Sequence, residues 1–155
     1  MTPEQAIKRQ EALASGRSNW ESYWQDLGNF CNPRKADITT KKTSGQQHDF
    51  HRIFDNTAIT SLKIMASGFH SHLTNPSSKW FSLGTKNKKA MDSKEVKMWF
   101  KDVEDEIFAT LNSSNFDPVM QEFYQDSGCF GTGAIFIEED AREKVRFTML
   151  PIGEI

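Results

Sequence analysis

The sequence predicts an α+β fold that is mainly α, with about four helices followed by a C-terminal β-hairpin. Three observations carry this. Apolar residues recur at helical spacing in long stretches, as at Ile59, Leu62, Ala66, Phe69 and Leu73. Cap-and-proline starts and Asn-Pro stops punctuate those stretches, at Thr2-Pro3, Asn32-Pro33, Asn75-Pro76 and Asp117-Pro118. Near the C-terminus the pattern changes to alternation: Val145, Phe147 and Met149 on one side, Arg146 and Thr148 on the other.

The first helix starts at Thr2-Pro3-Glu4-Gln5, where Thr2 and Gln5 make a capping box. Ser15-Gly16 and a second box, Ser18 to Glu21, allow either a restart or one long helix that tolerates the glycine. Trp20, Tyr23, Trp24, Leu27, Phe30 and Cys31 then keep helical period up to Asn32-Pro33. Residues 33–52 are expected to form a basic, mobile loop, with five Lys/Arg against two Asp.

The second helix opens with Asp55 as its N-cap, runs to Leu73 and stops at Asn75-Pro76, because proline lacks the N–H. Trp80-Phe81 follows as an aromatic anchor, and the stretch 55–83 is expected to be the hub of the fold. After the basic run from Gly84 to Lys89, Asp92 with Glu95 caps a third helix carrying Val96, Trp99, Phe100, Val103, Ile107 and Leu111. Asp117-Pro118 starts a short fourth helix, and 128–133 forms a glycine-rich connection. Residues 134–138 and 144–150 are the two strands, with 139–143 as the turn. The end at Pro151-Ile152-Gly153-Glu154-Ile155 reads as cut rather than finished.

At 155 residues, 1–155 is expected to form a single domain. Leu, Ile, Val and Phe supply only 33 of the 155 residues, while aromatics reach 12%. The apolar content is therefore concentrated in a few large rings, and neighbours are expected to cover part of that surface. No apolar run approaches the roughly 18–20 residues that span a bilayer, and the N-terminus lacks a signal pattern, so a cytoplasmic protein is the default. Cys31 and Cys129 are read as buried, reduced thiols.

Candidate chemistry is sparse. His70 and His72, two apart on a helix, point to different faces, and His48 with His51 lacks further ligands, so no metal is expected. Gly128, Gly131 and Gly133 follow a helix and precede a strand, the reverse of a phosphate loop, so no nucleotide cofactor is expected. Glu138, Glu139, Asp140 and Glu143 read as a solvated turn, with a metal-dependent nuclease as a remote alternative. No catalytic residues are assigned. The basic residues Arg34, Lys35, Lys41, Lys42, Arg52, Lys86, Lys88 and Lys89 are candidates for contact with DNA or with another subunit.

One ordered set of landmarks is more specific than any of its members. It comprises Arg17 with Trp20 and Trp24; Pro33-Arg34; Phe54-Asp55-Asn56-Thr57-Ala58; Met65-Ala66-Ser67-Gly68; Leu73-Thr74-Asn75-Pro76; and Lys79-Trp80-Phe81-Ser82-Leu83. It continues through Val96-Lys97-Met98-Trp99-Phe100, Ser114-Asn115-Phe116, Gly131-Thr132-Gly133 and Leu150-Pro151-Ile152. This order resembles the N-terminal part of the head-to-tail connector, or portal, proteins of short-tailed bacteriophages.

The resemblance implies a non-enzymatic subunit of a ring, typically of twelve, at one capsid vertex, through which double-stranded DNA is packaged and ejected. Its partners would be further copies of itself, the capsid, the packaging terminase and tail adaptor proteins, with no membrane. The protein would reside in the virion and, during assembly, in the host cytoplasm. Family chains are longer, so these residues would correspond to the wing region, without the channel-lining stem and motor-docking clip. Trp20, Trp24, Asp55, Phe69, Pro76, Trp80, Phe81, Trp99, Phe100, Gly131 and Gly133 would be its structural anchors. The alternative function is a small nucleic-acid-binding domain using the basic loop and the lysine run.

Overall fold

The computed structural model describes residues 2–40 and 53–155. Among these residues there are five α-helices and one antiparallel hairpin: α1 Pro3–Cys31, α2 Thr57–Leu73, α3 Lys88–Asp92, α4 Lys94–Ser113, α5 Phe116–Phe130, β1 Ala134–Asp140 and β2 Lys144–Leu150. The mainly helical α+β class is as the sequence predicts.

α1 is one helix through Gly16. Both halves of its Thr2–Gln5 capping box are formed, whereas Ser18 lies inside the helix and donates back to the Ser15 carbonyl at 2.8 Å. Of the two alternatives the long helix is the one formed: that hydroxyl satisfies a helical carbonyl instead of capping an N–H. α2 begins one residue later than expected. Asn56 occupies the cap position, and the Asp55 carboxylate accepts from the Thr57 N–H at 2.9 Å from one residue further out.

Two larger differences concern α3 and α5. The end of the lysine run winds into the short α3, an element that the sequence reading did not assign, and Ser93 rather than Asp92 is the N-cap of α4. α5 does not stop near Tyr124 but continues through Gly128 to Phe130. Gly128 permits a close helix crossing: a Cβ there would lie 1.9 Å from Met65 Cε of α2. Gly131 ends the helix in left-handed geometry, φ 76°, and its N–H returns to the Ser127 carbonyl at 3.0 Å.

That longer α5, rather than the α2 hub expected from the sequence, is the element the others share: it packs on α1, α2, α4 and β2. Its end supplies Cys129 and Phe130 to a core with Ile38, Leu62 and Ile152, against which Trp24, Leu27 and Cys31 pack.

The described start of the segment after α1, residues 33–40, is held against the body. Pro33–Lys35 forms a 3-10 turn, and Ala36 and Ile38 are buried. Gln25 of α1 holds it: Oε1 accepts from the N–H groups of Ile38 and Thr39 at 3.1 and 2.9 Å, and Nε2 donates to the Ala36 carbonyl. Lys41, Lys42, His48, His51 and Arg52 lie outside the described residues.

In the hairpin, Ala134 faces Leu150 and Ile137 faces Phe147. β1 runs to Asp140, so the turn is shorter than expected. The Asp140 carboxylate organises it by accepting from the Arg142 and Glu143 N–H groups at 2.7 and 3.1 Å.

Candidate assembly interface

Among the described residues the aromatics divide into those that hold the fold and those left largely exposed. Trp24 is half-buried; its indole N–H donates to the Phe130 carbonyl at 3.1 Å, and the Arg17 guanidinium sits 5.4 Å above its ring. Arg17 also donates to the Ile152 carbonyl, tying α1 to the segment after β2. Trp20 stacks on Trp24 at 6.5 Å, yet remains 57% exposed.

The Trp80-Phe81 anchor faces both ways. Trp80 lies parallel to Phe116 at 6.1 Å, Phe116 meets Phe147 edge-on at 5.2 Å, and Trp80 is still 40% exposed. The ion pair from Lys79 to Asp105, and the Leu83 N–H on Glu104 at 2.6 Å, fix this strand-like segment to α4. Lys79 accordingly holds the Asp105 carboxyl below its ordinary range.

On α4, Phe100 and Val103 are partly covered, while Trp99 is 60% exposed beside exposed Met98, its ring edge-on to Phe100 at 5.1 Å. The reason is angular: residue 99 lies about 100° from residue 100, beyond the strip that the body covers. Phe69 is also largely exposed but is braced by Tyr124 at 6.0 Å. Pro76 sits exposed in the turn after α2, Gly131 caps α5, and Gly133 passes so close to Phe123 that a Cβ would lie 2.9 Å from its ring.

β1 also overhangs. Helices α4 and α5 pack on β2, and β1 leaves Phe136 and Ile137 exposed. Exposed apolar side chains such as these are surface that packing against further polypeptide covers.

The basic residues are not gathered in one place. Lys35 is internal: its ammonium lies 2.8 Å from Asp126, which is 1% exposed, and 3.5 Å from Glu122. Arg34 is exposed beside it, while Lys86 and Lys89 are exposed around α3, on the α4 side of the molecule; Lys88 lies in the first position of α3.

Asp126 escaped the sequence reading. Burial pushes its carboxyl up, and Lys35 opposes that shift. The available signal was an acid on the same helical stripe as Phe123 and Phe130, three and four residues away.

Burial, with Cys31 close by, pushes the Cys129 thiol up to about 12. His70 is not a simple surface histidine: its Nε2 lies 2.9 Å from Asp117, linking α2 to α5. The acids at the hairpin do not converge, and among the described residues no group of three His, Cys, Asp or Glu is placed to hold a metal ion. No described helix is long and apolar enough to cross a membrane.

The described residues thus form a helical body held by buried polar ties, with exposed rings on several faces. Comparison with known proteins gives the class. The chain belongs to the bacteriophage head-to-tail connecting protein family, whose model matches residues 3–155. It is 33% identical over 150 residues to the portal protein of Salmonella phage epsilon15, covering 97% of this chain and 27% of that protein. It is 26% identical over 148 residues to the probable portal protein of Bordetella phage BPP-1, covering 96% of this chain and 27% of that protein. The chain thus spans about a quarter of the length of these curated relatives.

Proposed function

We propose that this chain is the wing-forming part of a portal subunit, a structural component of a ring through which double-stranded DNA is packaged and ejected. The observation that carries the reading is the family match across residues 3–155. The uncovered faces of α1, α4 and β1 support it, because a ring subunit buries such surface against its neighbours.

On this reading the ring holds about twelve copies at one capsid vertex, as the family resemblance implies, and meets capsid, terminase and tail adaptor proteins. It performs no catalysis. The protein belongs to the virion and passes through the host cytoplasm during assembly. Arg34, Lys86 and Lys89 are exposed and available for phosphate or for acids of a neighbouring subunit; Lys41, Lys42, Lys88 and Arg52 stay candidates for the same contacts on their charge alone. The described residues do not favour the nucleic-acid-binding alternative, since Lys35 and Lys79 of its basic segments are paired with Asp126 and Asp105.

Immunogold labelling with an antibody raised against residues 3–155 tests the proposal on phage particles. Label at a single vertex, at the head–tail junction, is the expected result. Particles without label, or label spread over the shell, would overturn it.

A further inference from the structure

Three successive acids on α4 each take a donor from elsewhere in the chain. Glu104 accepts from the Leu83 N–H at 2.6 Å, Asp105 pairs with Lys79, and Glu106 lies 2.8 Å from Lys144 Nζ. Successive helical residues point about 100° apart, so one short run can reach partners on two sides of its helix. One partner is the segment 79–83, itself fixed to the body where Trp80 stacks on Phe116. The other is the start of β2, a strand pinned to the body where Asn115 meets Phe147.

Apolar packing adds little to these ties. α4 runs for 20 residues without a buried one, and Phe100, Val103 and Leu111 are only partly covered. Among the described residues, the core around Leu62, Cys129 and Phe130 takes nothing from α4. Lys144 has a left-handed backbone, φ 66°, where glycine would be less strained, and its ammonium is the group that glycine would lack. Hydrogen bonds from Lys79 and Lys144 hold the Asp105 and Glu106 carboxyls below their ordinary range, with Lys101 one turn before Asp105 adding to the first. Both acids therefore stay charged near neutral pH. Such exposed pairs are individually weak and are screened by salt.

Independently of the portal reading, we propose that the run 104–106 is a clasp of charges that holds α4 on the body and releases it as ionic strength rises, leaving the α1–α2–α5 core intact. Every contact of the clasp lies within this chain. The exposed Trp99 rides on α4, so its placement against the core follows the clasp.

Hydrogen exchange read residue by residue by NMR, at constant pH in about 0.05 M and about 1 M salt, tests this. The α4 amides should exchange about threefold to tenfold faster in high salt, while those of α2 and α5 stay protected. Lys79→Gln with Lys144→Gln should show the faster α4 exchange already in low salt and respond little to more. Lys144→Glu alone should loosen α4, and adding Glu106→Lys should restore the wild-type rate, since the pair regains opposite charges. Exchange in α4 that ignores salt, α4 and α5 quickening together, a Lys79 and Lys144 variant that behaves as the wild type, or a charge swap that restores nothing would each overturn the clasp.

Discussion

The side-chain amide of Asn115 pairs with the backbone of Phe147 as a neighbouring strand would. Nδ2 donates to the Phe147 carbonyl at 2.7 Å, and Oδ1 accepts from the Phe147 N–H at 2.9 Å. This pairing closes the free edge of β2 at the start of α5 and sets Phe147 against Phe116. Asn115→Ala is expected to cost about 1–3 kcal/mol, because it leaves a backbone pair unsatisfied in a partly buried place. Asn115→Asp should cost at least as much, since a carboxylate oxygen would face the Phe147 carbonyl. Urea midpoints of the two variants check this.

Asp126 and Lys35 form another long-range polar tie, 91 residues apart. Lys35→Met strands a buried carboxylate and should destabilise by about 3–5 kcal/mol, while adding Asp126→Asn should recover most of the loss. The pH dependence has a definite sign. Burial raises the folded-state pKa of Asp126, so the folded state binds the proton more tightly than the unfolded state. This contribution favours folding at acid pH and is lost as pH rises from about 3.9 through the raised value. Stability of the wild type relative to Asp126→Asn should fall over that window and level off above it.

The tryptophans should separate by role. Trp24→Ala removes a packed ring, a hydrogen bond to Phe130 and the Arg17 contact, for an expected loss of about 3–5 kcal/mol. Trp20→Ala and Trp99→Ala remove mostly solvent-facing surface and should change monomer stability by less than about 1 kcal/mol. Chemical denaturation of the three variants distinguishes them.

Cys129 should be inert. With its thiol pushed up to about 12 by burial, almost no thiolate exists near neutral pH. Alkylation with iodoacetamide at pH 8 should leave it unmodified in the folded chain and modify it fully in urea. Rapid labelling of folded protein at Cys129 would contradict the packing around Leu62 and Phe130.

Local features were the legible ones. The Thr2–Gln5 box, the stop at Asn75-Pro76 and the alternation of β2 depend on neighbours in sequence, and all appear in the structure. The ties from Asn115 to Phe147, from Asp126 to Lys35 and from Gln25 to residues 36–39 join distant or irregular segments, which periodicity does not encode. The same limit applies to the candidate interface. An apolar stripe identifies a face that needs covering but not what covers it, so Trp24 and Trp99 read alike until the fold separated them. The basic residues were legible as charge; their internal use, as at Lys35, was not.

The central claim is that the rings left uncovered on this chain are covered in an assembly. Hydroxyl-radical footprinting of the tryptophans, in the isolated chain and in assembled phage particles, measures that directly. Trp24 should be protected in both states, while Trp20 and Trp99 should be oxidised in the isolated chain and protected in the particle. Equal oxidation of Trp20 and Trp99 in the two states would contradict the account.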